Sequence, residues 1–186
     1  MAKDGVIWQE HHLKSHIKVF PGGQQCALLE GKIVASASSL VISLIPEHKE
    51  HTWKEATAFG MFTNHTLEGD SLYGADISTH PDSRRLGIAS MLYNARKDLA
   101  IKLNLRRMIA GGRLFNYCEH AEKMSPQEYA DKVVKDEIKD PVLSFQLRNG
   151  FRFIKILPDY MRDARSLNYA SFIEWINTKY VPPNVI

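Results

Sequence analysis

The sequence predicts an α/β fold, a mixed sheet flanked by helices, on three observations. Residues 72–103 read as strand, tight loop and helix. Residues 24–44 read as an antiparallel hairpin ahead of them. From residue 105 on, a further strand, two helices and two closing strands follow in turn.

Taken in order, residues 1–6 are expected to be a frayed start. Residues 7–20 form a helix with Leu13, Ile17 and Phe20 on one side, ended by Pro21-Gly22-Gly23. The hairpin arms, 24–30 and 32–44, turn at Glu30-Gly31, and the small residues of the second arm suit a strand in mid-sheet. Residues 46–70 are polar and turn-rich, yet carry Trp53, Phe59, Met61 and Phe62, so the loop is either functional or packed on the sheet.

In the central strand Tyr73, Ala75, Ile77 and Thr79 alternate with Gly74, Asp76, Ser78 and His80, and Pro81 ends the ladder. Ile88, Met91, Leu92, Ala95, Leu99 and Leu103 then recur at helical spacing, while Arg96, Lys97, Asp98 and Lys102 fill the other face. Asn104 suits the left-handed position after the last turn. Residues 105–110 are the next strand, and Gly111-Gly112-Arg113 opens a long segment as a tight turn or a ligand contact. Ser125-Pro126-Gln127-Glu128 has the form of a capping box, starting a helix that runs to about Ile138. Pro141 opens the next helix, which stops at Asn149-Gly150. Residues 151–156 and 168–175 close the sheet around Pro158-Asp159, giving a single domain over 1–186.

Composition narrows the function. Apolar residues at 44% and charged residues at 24% are ordinary globular values. No run nears the ~18 apolar residues of a membrane span and no signal-peptide pattern opens the chain, so a cytoplasmic protein without membrane attachment is expected. The net charge of +3 is too diffuse to argue for nucleic acid. Cys26 and Cys118 form no Cys-x-x-Cys pair. His12 and His16 share a helix face beside His11, but with no cysteine or acid constellation they read as a solvated polar face, and no metal centre is expected.

The loop between strand and helix carries the chemistry. Arg84-Arg85-Leu86-Gly87-Ile88-Ala89 precedes helix amides that have no intrahelical acceptor and lie at the positive end of the dipole. Gly87 lets an anion approach the backbone, and the two arginines add full charge. The arrangement suits a phosphate or pyrophosphate, or else is an ordinary turn with solvated arginines.

With its strand–helix context, Arg-x-x-Gly-x-Ala resembles the acetyl-CoA loop of the GCN5-related N-acetyltransferase (GNAT) family, and Ser144-Phe145-Gln146-Leu147-Arg148-Asn149-Gly150-Phe151 resembles that family's later helix. Ile109-Ala110-Gly111-Gly112-Arg113 and Asp140-Pro141-Val142-Leu143-Ser144-Phe145 resemble, within it, the acetyltransferase-like domains associated with nitrilase-type amidohydrolases. The resemblance implies a mostly antiparallel mixed sheet and transfer of an acetyl group from acetyl-CoA to a small amine or a protein amino group. The Ile77 and Thr79 backbones would pair with the pantetheine arm. Amides from Arg85 through Leu86, Gly87 and Ile88 to Ala89, with the Arg84 and Arg85 side chains, would hold the pyrophosphate. Many relatives place a proton-donating tyrosine where this chain has Gln146; Tyr117 is the nearest hydroxyl to substitute, or else a packing or surface residue of the extra segment. The base is Asp76 or His80, or else a water chain as in many relatives, with those two in ordinary loop and turn roles. The 23 residues before Gln24 have room for one helix and little else, so the family's first strand is expected either to be missing or to lie ahead of this sequence. If it is missing, the open edge offers a homodimer by strand pairing. The alternative to an enzyme is a CoA-binding or partner-binding module of the same fold.

Overall fold

The computed structural model describes residues 7–183; the expected frayed start at 1–6 lies outside the described residues. Its elements are α1 (Glu10–Val19), β1 (Gln24–Leu29), β2 (Lys32–Ile42), the single turn α2 (Trp53–Ala56), β3 (Ser71–Thr79), α3 (Ile88–Lys102), β4 (Arg107–Arg113), α4 (Pro126–Val134), α5 (Leu143–Arg148), β5 (Arg152–Leu157) and β6 (Ala170–Ile176). The strand order in the sheet is β1-β2-β3-β4-β6-β5. Among the described residues no strand precedes β1. Two compact units divide the chain. One holds Trp8–Ser43, Thr57–Ile109 and the described residues from Ile176 onward; the other holds 44–56 and 110–175.

In the first unit β1 and β2 form the hairpin, with Glu30 and Gly31 both at positive φ in its turn. β2 runs antiparallel to β3, and the register steps between Ser38↔Asp76 and Ser39↔Gly74. β4 starts parallel to β3, from Ser71↔Arg107 to Tyr73↔Ile109. Ile88 and Leu92 of α3 pack against Ala35 and Ala37, with Ala27, Val34 and Ile77 beside them. Asn104 takes the left-handed conformation after α3, at φ 50°.

The α3 periodicity needs a correction. Met91 is 66% exposed, whereas Arg96 is only 2% exposed. The buried arc is Ile88, Leu92, Tyr93, Arg96 and Ala100, so Arg96 holds a core position rather than one on the polar face.

Helix α1 starts at Glu10 rather than residue 7, because the Gln9 amide donates to His12 Nδ1 at 3.2 Å and closes a cap there. His16 is likewise not on a solvated face. It is 1% exposed, stacks on Phe62 at 3.7 Å and donates from Nε2 to Gly60 O at 2.6 Å. His65 accepts the Val41 amide on Nδ1 at 3.0 Å and stacks on Phe20. Burial lowers the pKa of both rings, and neighbouring His12 adds to the effect at His16. The unfolded chain therefore takes up protons near pH 6.5 that the folded chain refuses, and protonation favours unfolding. The expected result is a Tm that falls steadily from pH 7 to pH 5, to which His51, lowered mainly by burial, adds in the same direction. A thermal melt series in one buffer system checks this, and a flat Tm over that range contradicts it.

In the second unit β5 and β6 are antiparallel. Ser125 and Glu128 close the expected capping box, with Ser125 N donating to Glu128 Oε2 at 2.7 Å and Glu128 N to Ser125 Oγ at 3.2 Å. Helix α4 stops at Val134 instead of Ile138 because Asp136 turns left-handed and the Glu137 and Ile138 amides fold back onto Lys132 O. Strand β6 starts at Ala170, since Asn168 at φ 69° cannot continue a ladder. The diglycine lies within β4, not in a turn. A Cβ on Gly111 would sit 2.2 Å from the Tyr160 ring, and one on Gly112 would sit 2.3 Å from Gln146 Oε1, so both faces of the strand are already filled.

Candidate functional site

Strand β3 presents the expected site residues in two alternating sets. Ile77 packs under α3. Thr79 shares its parity and is half-buried. Asp76, Ser78 and His80 have the opposite parity, and Ser78 Oγ lies 3.2 Å from Ser36 Oγ. Asp76 Oδ2 accepts from the Trp8 indole N–H at 3.4 Å. His80 is exposed. Its Nδ1 lies 3.4 Å from the Asp82 amide and 3.7 Å from Asp82 Oδ2. At a rise of about 3.3 Å per residue, Asp76 and His80 are about 13 Å apart along the strand. One reacting nitrogen cannot meet both.

After β3, Pro81–Ser83 makes one tight turn and the loop follows. Arg84, Arg85, Leu86 and Gly87 are exposed, Ile88 is buried and Ala89 half-buried. Gly87 sits at φ 77°, ψ 0° as the N-cap of α3, and nothing lies within 4 Å of where its Cβ would be. Arg85 is also left-handed, at φ 64°, a conformation that costs a non-glycine residue roughly 1–3 kcal/mol. Left-handed residues ahead of a helix N-terminus are a conformation that can present backbone amides to an anion, and the space at Gly87 leaves the approach open. A pyrophosphate fits this donor set.

Tyr117 lies in the second unit and is 4% exposed. Its hydroxyl donates to Met124 O at 3.1 Å, and its ring meets Tyr129 and Tyr169. Burial, then Tyr169 and Glu128, raise its pKa. Gln146, also in that unit, is 4% exposed against Gly112. Glu47, His48 and Glu174 bring ligand-type atoms within 4.8 Å of one another. Glu174, however, is held by Arg152 through Nε at 2.9 Å and through Nη2, and by His48 at 3.2 Å, so the group is an ion-paired cluster.

Sequence reasoning missed two residues of the first unit, Trp8 and Arg96. Arg96 donates from Nη2 to Ser38 O at 2.8 Å and to Asp76 O. Its signal was the four-residue step shared with Ile88, Leu92 and Ala100; Trp8 offered none.

With this geometry in place, comparison with known proteins assigns the class. The acetyltransferase (GNAT) family profile matches residues 4–117. The "uncharacterized N-acetyltransferase YkwB" of Bacillus subtilis (strain 168) is 40% identical over 175 residues, covering 94% of this chain and 77% of that protein. The chain belongs to the GNAT family, whose members use acyl-CoA. The "probable hydrolase YhcX" of the same organism is 47% identical over 176 residues, which is 94% of this chain but 34% of YhcX, so the chain spans about a third of that relative. Among solved structures, the loading GNATL domain of CurA from Lyngbya majuscula has a TM-score of 0.81 at 19% identity, covering 94% of this chain and 86% of that one. The shared fold is the GNAT sheet of six strands flanked by helices. Among the described residues no helix is long and apolar enough to cross a membrane.

Proposed function

We propose that the chain, acting as one cytoplasmic domain over 1–186, transfers the acetyl group of acetyl-CoA directly to an amino group of a small molecule or protein. The observation that carries this reading is the open, doubly left-handed cradle at Arg84–Ala89 on the N-terminus of α3. Bound there by its pyrophosphate, the cosubstrate supplies an activated acetyl thioester. The backbones of Ile77 and Thr79 hold the pantetheine arm along β3. His80 then stands at the pyrophosphate end of the strand and Asp76 toward the thioester end. Asp76 is therefore the better placed base, its carboxylate oriented by the Trp8 indole. Tyr117 would have to release Met124 O to protonate the leaving sulfur, and its raised pKa makes it a reluctant donor, so we assign that proton to solvent.

We further read the chain as the kind of acetyltransferase-like domain associated with nitrilase-type amidohydrolases. The match to part of a probable hydrolase supports this. A homodimer through β1, which ends the strand order and exposes Leu28 and Leu29, completes the proposal.

A second reading, a CoA-binding module without transfer, is favoured by Gln146 at the tyrosine position and by the engaged Tyr117 hydroxyl. One experiment separates the two: calorimetric titration of acetyl-CoA, followed by mass spectrometry of a panel of amines and peptides incubated with protein and acetyl-CoA. Saturable binding with one or more acetylated products is the expected result. Binding without any product leaves the module, and no binding by the folded protein sinks both readings.

A further inference from the structure

We infer that Arg96 is a positioning residue for the acyl-CoA site: it locks the pantetheine-binding part of β3 to the helix whose N-terminus forms the pyrophosphate cradle. The inference rests on the reading of that loop and strand given above. Arg96 carries a full charge at 2% exposure, which is costly unless the charge has a use. Burial lowers its pKa, while Tyr93 and the Asp76 carboxylate favour its charged form. The Tyr93 ring lies 5.9 Å away. Its Nε finds no acceptor among the described residues.

What the guanidinium does hold is specific. Its Nη2 donates to Ser38 O at 2.8 Å and to Asp76 O, the pair of residues next to which the β2–β3 register steps. Asp76 opens the segment in which the backbones of Ile77 and Thr79 hold the pantetheine arm in the proposed site. A register irregularity bends a strand and lets its direction vary. Arg96 removes that freedom, and does so from α3, eight residues or about 12 Å along the helix from Ile88. The cradle at one end of α3 and the β3 backbone therefore keep one spacing, matched to a ligand that must touch both.

A role confined to fold stability and a positioning role differ in what they do to two ligands. ADP carries the pyrophosphate but no pantetheine; CoA carries both. Both are titrated into wild type, Arg96→Met and Arg96→Lys, with Tm recorded. Wild type binding both, with CoA affinity about tenfold weaker in Arg96→Met and ADP affinity unchanged within about twofold, is the expected result. Arg96→Lys keeps the charge without the planar fork and is expected to lose about threefold for CoA alone. If Arg96→Met does not fold, Arg96→Lys decides. Equal losses for both ligands, or none, overturn the positioning role and leave the acyl-CoA reading standing. CoA binding without ADP binding by wild type also overturns it, because the cradle then holds nothing by itself. Wild type binding neither ligand overturns both.

Discussion

Gly87→Glu is expected to weaken acetyl-CoA binding about a hundredfold while leaving the fold intact. Three effects act together. Gly87 sits at φ 77°; a side chain there favours relaxation of the free loop, and restoring the left-handed conformation for binding costs about 1 kcal/mol. The new carboxylate stands at the mouth of the cradle, and two unit charges about 4 Å apart repel by about 1 kcal/mol in water and by about 4 kcal/mol at a protein surface. The side chain also fills space that the pyrophosphate needs. In this exposed loop the repulsion falls between those limits, at about 2 kcal/mol, and a sum near 3 kcal/mol corresponds to about a hundredfold in affinity. The fold survives because no described atom lies within 4 Å of the added Cβ. Gly87→Ala isolates the backbone term and is expected to lose only about fivefold. Calorimetry on all three proteins, with Tm as the folding control, decides the matter. A folded Gly87→Glu protein that binds acetyl-CoA like the wild type would show that the loop is an ordinary turn.

The conformation of the loop was legible in the sequence because its causes are local. Gly87, the arginines and the helix start lie within six residues, and their meaning depends on backbone conformation that neighbours dictate. The same holds for the Ser125–Glu128 cap and for Asn104. Residues whose role is set by distant partners were not legible. Arg96 looks like a surface residue until the Ser38 and Asp76 carbonyls, 58 and 20 residues away in sequence, are brought to it. His16 belongs to the interior only because Gly60 and Phe62 fold over α1. Gly111 and Gly112 carry a turn-like composition, yet the Tyr160 ring and the Gln146 carboxamide need the room inside a strand. Of the candidate catalytic groups, alternation along β3 placed Asp76 and His80 on one face. Nothing in the sequence could show that Trp8 would meet Asp76 or that Met124 would take the Tyr117 hydroxyl.

Asp140→Ala is expected to cost about 4 kcal/mol of stability, or about 12 °C in Tm. Asp140 opens one of the stretches that carry the family resemblance, and the structure gives it a structural task. It is fully buried. Its Oδ1 accepts from the Val142 and Leu143 amides, both at 2.8 Å, and so caps α5. Its Oδ2 accepts from the Asn116 amide at 3.2 Å and from the Tyr129 hydroxyl at 2.9 Å, joining the long segment after β4 to α4. Burial first, and then this carboxylate, push the Tyr129 phenol far up, so it stays a donor throughout the working pH range. Alanine would leave four donors without their acceptor, those of Leu143 and Tyr129 buried and those of Val142 and Asn116 half-buried, and leaving one buried donor unpaired costs about 1–3 kcal/mol. Asn separates the two halves of the task. It keeps an acceptor for Val142 and Leu143, and Tyr129 can rotate to accept from the new amide, but the Asn116 N–H then faces another donor. Asp140→Asn is therefore expected to lose about half as much as Asp140→Ala. Urea melts of the three proteins test the ordering. Equal stability of wild type and Asp140→Ala would mean that the buried network does not form in solution.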